Sequence, residues 1–238
     1  GMEQVKGLLG EGLHKVHIAD READVYDLFF HAYQENTDLL IRARHERNLS
    51  GGDHLWEHVS ALPVAGTVLL EIPDKTGKKK VAVEVEVRFD KVEVLRPKAN
   101  RRDCESVALT AIEVKEKACK GGNGQQAVHW KLLTTLEVGS TGAALMCVKW
   151  YTFRWLIERF HYVLKSGVKI EELQLKEAES LQKAVAVYSI AAFRVMQLVY
   201  HSRHHPDVSC EVALTKPNGA RYTCWPTDRL RYRIALLL

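Results

Sequence analysis

Four side chains able to do chemistry stand at fixed spacing near the middle of the chain: Tyr151, Arg154, Glu158 and Lys165. A carboxylate is a hard oxygen ligand for a divalent cation. A guanidinium and an ammonium hold phosphate oxygens as a fork and as a point charge, and a phenol can hydrogen-bond the same group. At about 100° per residue the four fall within roughly 60° of one another on a helix. Phe153, Leu156, Ile157, Phe160, Val163 and Leu164 fill most of the opposite side. The spacing predicts one amphipathic helix over 151–165 with a narrow polar stripe. An ordinary surface helix with an Arg154–Glu158 pair at i, i+4, worth about 0.2–0.5 kcal/mol, would carry the same pattern.

Three further positions attract notice upstream. The β-prone run Val16–Ala19 stops at Asp20, after which Val25, Leu28, Phe29 and Tyr33 take helical spacing. Asp is a favoured N-cap, which explains a strand handing over to a helix at that residue. Leu39–Arg44 reads as the next strand, with Arg42 on it, and Val128–Thr135 as a later one, with Trp130 on it. Taken alone, a strand arginine is solvated and a strand tryptophan belongs to the core.

The spacing Tyr-x2-Arg-x3-Glu-x6-Lys at 151–165 resembles that of the bacterial cut-and-paste DDE transposases of the insertion-sequence-four family. At average residue usage a chance match in a chain this long has odds of roughly one in a thousand. Ile18-Ala-Asp20-Arg-Glu-Ala-Asp-Val-Tyr26 resembles the same family's second catalytic block, and Trp130-x-Leu-Leu-Thr a further segment. The resemblance covers about residues 13 to 215. It implies that Asp20 and Glu158 are catalytic carboxylates and ligands for Mg²⁺ (or Mn²⁺). It likewise implies that Arg42, Trp130, Tyr151, Arg154 and Lys165 touch DNA, Trp130 by stacking on a flipped base. Two-metal phosphodiester cleavage and strand transfer need such oxygen ligands on rigid elements.

The elements that must position these residues are legible in outline. With 238 residues, 46% of them hydrophobic, the chain can bury a sizeable core. A formal charge of +4 is compatible with nucleic acid and does not demand it. Five cysteines without a Cys-x2-Cys pair read as free thiols of a reducing cytosol, hence a cytoplasmic protein. No uninterrupted apolar run reaches 18 residues, so no membrane partner is expected. Gly1 before Met2 reads as a tag-cleavage scar.

The fold expected is α/β: a partial ribonuclease H-like core, its first strands absent, with an inserted β-rich subdomain and C-terminal helices. Residues 2–50 would supply strand, helix and strand of the core. Residues 51–126 would form the insertion, with strands at Gly66–Ile72, Val81–Leu95 and Ser106–Lys117. Residues 127–205 would return to the core through a strand, the catalytic helix and an apolar packing helix, Leu181–Tyr200. Residues 206–238 would be an irregular basic tail. His54 and His58 stand at i, i+4 but suggest a surface helix. Lys78, Lys79, Lys80, Arg88, Lys91, Arg96 and Lys98 could face phosphate or be solvated.

Two departures from the family shape the functional expectation. The first catalytic Asp and its strands have no counterpart before Asp20. Asn218–Leu238 departs as well, and a back-translation read in another frame becomes family-like, which points to a frameshift near Pro217. The expectation is therefore a truncated transposase-family protein with impaired catalysis and weakly bound metal. Its partners would be transposon-end DNA and a second copy, or an intact transposase. The alternatives are a non-catalytic DNA-binding or dimerising fragment that inhibits intact transposase, and a folded pseudogene product.

Overall fold

The computed structural model describes residues 14–34, 37–73, 80–97, 105–117 and 127–207. Contacts divide the chain into two compact units, Gly1–Arg154 and Trp155–Leu238. The architecture is mixed α/β, with a curled six-stranded sheet in the first unit and helices in the second.

In the first unit, strand β1 (Val16–Ala19) leads through a 3-10 turn (Arg21–Ala23) into helix α1 (Tyr26–Gln34) and then strand β2 (Asp38–Arg42). β1 and β2 pair in parallel from Val16↔Asp38 to Ala19↔Ile41, which requires the helical crossover between them. Helix α2 (Leu55–Ala61) follows, then β3 (Gly66–Pro73), β4 (Lys80–Leu95), β5 (Ser106–Glu116), β6 (His129–Thr134) and helix α3 (Thr141–Thr152). The order across the sheet is β1-β2-β6-β5-β4-β3, antiparallel from β2 onward. The β-rich segment 51–126 is thus continuous with the flanking core strands, because β5 pairs with β6 from Thr110↔Thr134 to Lys115↔His129.

Alternation along the strands builds two cores. Val85 and Val87 of β4, Ile112 and Val114 of β5, Trp130 and Leu132 of β6 and Leu40 of β2 point to one face. There Ala144, Cys147, Val148 and Tyr151 of α3 cover them, at the 3–4 spacing of a helical stripe. Leu39 and Ile41, Val92 and Val94, Leu109 and Ala111, and Leu133 point the other way, under Tyr26, Phe29 and Ala32 of α1 and Leu55, Trp56 and Val59 of α2. β4 serves both cores because its apolar positions change phase between Val87 and Val92, and in a strand a one-residue change of phase changes the face. Val25, expected on the buried side of α1, is exposed because it precedes the helix.

Two glycines are required by geometry. Gly52 turns the chain at φ +90°, where other residues are strained. At Gly66 a Cβ would come within 2.7 Å of Thr141 Cγ2, so β3 and the start of α3 meet there without room for a side chain.

The second unit holds helix α4 (Trp155–Tyr162), a π turn (Val163–Gly167), a 3-10 turn (Ile170–Glu172) and the long helix α5 (Ala178–His204). The single helix expected over 151–165 is therefore not formed. α3 ends at Thr152 and α4 begins at Trp155, with Arg154 in the turn between them. Tyr-Thr-Phe-Arg-Trp offers aromatic and β-branched residues of modest helix propensity, and the Thr152 hydroxyl donates back to the Lys149 carbonyl at 2.6 Å. With the phase broken, Phe153, Leu156 and Ile157 are exposed and of that apolar set only Val163 is buried.

Helix α5, expected as core, buries Ala192 and Val199 but leaves Val187, Ile190 and Phe193 more than 60% exposed. Among the described residues it is the one helix long and apolar enough, by length and composition, to cross a membrane. Lys183 and Arg194 interrupt its apolar surface. The tail beyond residue 207, and with it the frameshift expectation, lies outside the described residues, as do Lys78, Lys79 and Lys98.

Candidate functional site

Asp20 occupies the first position after β1. Its backbone is extended, its Oδ1 accepts from the Arg21 amide at 2.8 Å, and it thereby caps the 3-10 turn. The ordinary N-cap role read from sequence is real. The same carboxylate also meets two residues from the far end of the unit. The Tyr151 hydroxyl donates to Oδ1 over 3.5 Å, and Arg154 Nη1 stands 3.5 Å from Oδ2.

Tyr151, in the last turn of α3, is 1% exposed, with its ring 5.2 Å from that of Trp130 in an edge-on contact. Arg154 lies 6.0 Å from the centre of the Tyr151 ring, in cation–π range. Arg42, at the end of β2, acts on the Tyr151 hydroxyl by hydrogen bond and charge, while its Nη2 donates to the His129 carbonyl at 3.4 Å. Burial raises the Tyr151 phenol above its ordinary value and the Asp20 carboxylate adds to the rise, against the opposing charges of Arg154 and Arg42. The hydroxyl therefore stays protonated through the physiological range and serves as a donor.

Asp20, Arg42, Trp130, Tyr151 and Arg154 thus come together in the first unit, although they arrive on four separate segments of chain. The Arg154 guanidinium faces the one carboxylate and the Arg42 guanidinium bonds to the phenol, so these side chains together carry a net positive charge and suit an anion. Trp130 is buried at 6% exposure, with Tyr151 against it. In this arrangement it is a core residue, and stacking on a base would first require one of its faces to be uncovered.

Glu158 and Lys165 belong to the second unit. Glu158 is exposed in the first turn of α4. Lys165, in the π turn, puts its Nζ 2.8 Å from Glu171 Oε1, and that hydrogen bond raises its pKa.

Whether this chain can hold Mg²⁺ or Mn²⁺ turns on its oxygen donors. In the first unit Asp20 supplies one carboxylate, with an oxygen on the Arg21 amide and the Arg154 guanidinium beside the other. Mg²⁺ demands near-octahedral oxygen coordination, and a neighbouring cation opposes it. The donors of this unit by themselves do not fit such an ion. Among the described residues no three His, Cys, Asp or Glu side chains form a group able to hold a metal.

Two other residues singled out in sequence, His58 and Arg88, are engaged locally. His58 Nε2 lies 2.7 Å from Asp90 Oδ2. Arg88 is spent on the Leu62 carbonyl at 3.0 Å and Glu86 Oε2 at 3.1 Å, so its guanidinium is not presented to phosphate.

Sequence reading passed over two buried polar centres. Asp24, on the way into α1, accepts from the amides of Arg44 (2.6 Å) and His45 (2.9 Å) and pairs with Arg47. Glu113 of β5 is buried and accepts from Ser60 Oγ at 2.9 Å, with His129 Nε2 at 2.8 Å. The available signal for Glu113 was a charge inside the apolar run Ala108–Val114. For Asp24 it was a second aspartate four residues after Asp20, in the same block Ile18–Tyr26. No protein-family model matches the chain.

Proposed function

We propose that this chain is a transposase-family protein, descended from the DDE enzymes its sequence resembles and ribonuclease H-like in its core. It keeps a phosphate-binding locus while its catalysis is impaired. The observation that carries this reading is the meeting of Asp20, Arg42, Trp130, Tyr151 and Arg154. These are residues that the resemblance assigns to one DNA site from four separate blocks of sequence. In this reading Arg42 and Arg154 hold a backbone phosphate of a transposon end, and Tyr151 donates to it. Asp20 and Glu158 are what remains of a Mg²⁺ or Mn²⁺ set whose affinity is weak. The protein acts in the cytoplasm, as a homodimer or beside an intact transposase.

The test is metal-dependent cleavage of hairpin and transposon-end DNA by the full chain, alongside fluorescence anisotropy for binding. Salt-sensitive binding with little turnover is the expected result. Turnover that vanishes in Glu158→Gln would overturn the impairment, and absence of binding at low salt would overturn the reading as a whole.

A second reading is favoured by the contacts of Arg21, Tyr151 and Arg154 with Asp20, which leave neither oxygen of that carboxylate free of a protein donor. It makes the chain a non-catalytic fragment that binds DNA and inhibits an intact transposase through mixed oligomers. Mixed oligomers without cleavage would single it out, and a chain with neither binding nor oligomers would be a folded pseudogene product.

A further inference from the structure

The parallel ladder of β1 and β2 stops at Ala19↔Ile41, one residue short of Asp20 and Arg42. Arg42 remains held beyond that point by its pairing with Leu132 of β6. Asp20 has no such strand partner, only the turn that it caps. What ties the turn down is Asp24. Its side chain is fully buried and accepts from the amides of Arg44 and His45, the residues through which the chain leaves β2. Arg47 closes the link by binding both the carboxylate and, at 3.3 Å, the carbonyl of Asp24, while its guanidinium lies 5.8 Å from the centre of the Phe29 ring. The bonds Ala23 N–H to Asp20 O (3.0 Å) and Asp24 N–H to Arg21 O (3.3 Å) carry that anchorage back to Asp20.

Arg47 Nε is buried with no hydrogen-bond partner in the structure. A buried pair that leaves a donor unsatisfied is a costly way to gain stability, and it is better explained as a device that fixes geometry. We propose that Asp24 and Arg47 are positioning residues, whose buried pair sets where Asp20 stands against Arg42 and Tyr151. The inference rests on the phosphate-binding reading for its purpose, though the geometric part can be tested without DNA.

The full chain is labelled with tyrosine carrying ¹³C at Cζ, and the Tyr151 line is assigned by its loss in Tyr151→Phe. In the parent, Asp20→Asn should shift that line, since Asp20 faces the phenol. In Asp24→Asn/Arg47→Met, which removes the pair without leaving a buried charge, the line should already be displaced and Asp20→Asn should move it no further. Should that variant fail to fold, Arg47→Lys keeps the charge, loses the fork and is expected to show an intermediate displacement. A clamp variant with the parent's line and the parent's response to Asp20→Asn would overturn the proposal.

In Asp24→Asn/Arg47→Met, where the displaced Asp20 carboxylate competes less for Arg154, binding of a labelled DNA hairpin should tighten about threefold, with Arg47→Lys in between. If the parent binds no DNA, the functional reading fails and the spectra alone judge the clamp.

Discussion

The Tyr151 hydroxyl reaches the Asp20 carboxylate over 3.5 Å, across 131 positions of sequence. The phenol is buried against Trp130, and burial, more than the carboxylate, raises its pKa. A long hydrogen bond to a half-exposed acceptor contributes little, so Tyr151→Phe should cost less than about 1 kcal/mol at neutral pH. At high pH the sign is fixed by linkage. The folded pKa lies above the unfolded one, near 10. The unfolded chain therefore loses its proton first, and this contribution is fully present below pH 10 and lost as pH rises through the folded value. Urea unfolding at neutral pH and above pH 10 should show the parent losing more stability than Tyr151→Phe. Equal losses would mean that Tyr151 is not buried as described.

Cys147 gives a second alkaline effect, in a different window. It lies on the face of α3 that covers the sheet, and burial first, then the Asp38 charge, pushes its thiol from 9.0 up to about 11. Stability from this group is complete below pH 9 and lost as pH approaches 11, about 2–3 kcal/mol in all. In Cys147→Ala the cavity lowers stability at every pH, yet the fall between pH 9 and 11 should be shallower. With the other four cysteines replaced by serine, the remaining thiol should react with a disulfide reagent at pH 8 only as fast as the protein opens.

Gly66 and Thr141 make a packing test. Gly66→Ala puts a methyl group 2.7 Å from Thr141 Cγ2, at a place where the Thr141 hydroxyl also donates to the Ala65 carbonyl at 3.3 Å. Overpacking of this kind costs about 1–3 kcal/mol. Gly66→Ala/Thr141→Ser removes the offending methyl and keeps the hydroxyl, so it should recover most of the loss. If Gly66→Ala is neutral by chemical denaturation, β3 and α3 do not approach as closely as described.

What was legible beforehand followed the reach of each physical signal. Period-two alternation placed β3, β4 and β5 within a residue or so of where they fold, because each face of those strands meets one environment at a time. The short apolar run Val16–Ala19 and its stop at Asp20 were equally plain. The break at Phe153–Arg154 was hidden, since six apolar residues continue at helical spacing on both sides of it. Nothing in that spacing tells whether one helix or two carry them. Sheet continuity through 51–126 depends on which strand β6 pairs with, a nonlocal choice between β2, β5 and solvent that composition does not encode. Of the candidate site, residue types and spacing offered only the polar stripe at 151–165, and it was the family resemblance that implied Asp20, Arg42 and Trp130. The ion pair of Asp20 with Arg154 and the clamp of Asp24 with Arg47 depend on chain segments meeting in space.

The Asp20–Arg154 pair has a consequence for binding that distinguishes Arg154 from Arg42. Arg154 is only 11% exposed at its side chain while the Asp20 side chain is 45% exposed, so an incoming phosphate must compete with a carboxylate for the guanidinium. Removing that competitor should help: Asp20→Asn is expected to tighten binding of a DNA hairpin by about three- to tenfold at low salt, because it releases the Arg154 guanidinium to the phosphate. Arg42→Ala and Arg154→Ala should each weaken it, and each should lower the slope of log K against log salt by about one, as expected when one phosphate contact is lost. In Asp20→Asn/Arg154→Ala the gain should disappear, because the carboxylate then has no guanidinium to release. Anisotropy titrations of the four variants at three salt concentrations decide the matter. A gain that persists in the double variant would show that Asp20 repels DNA directly and does not act by holding Arg154.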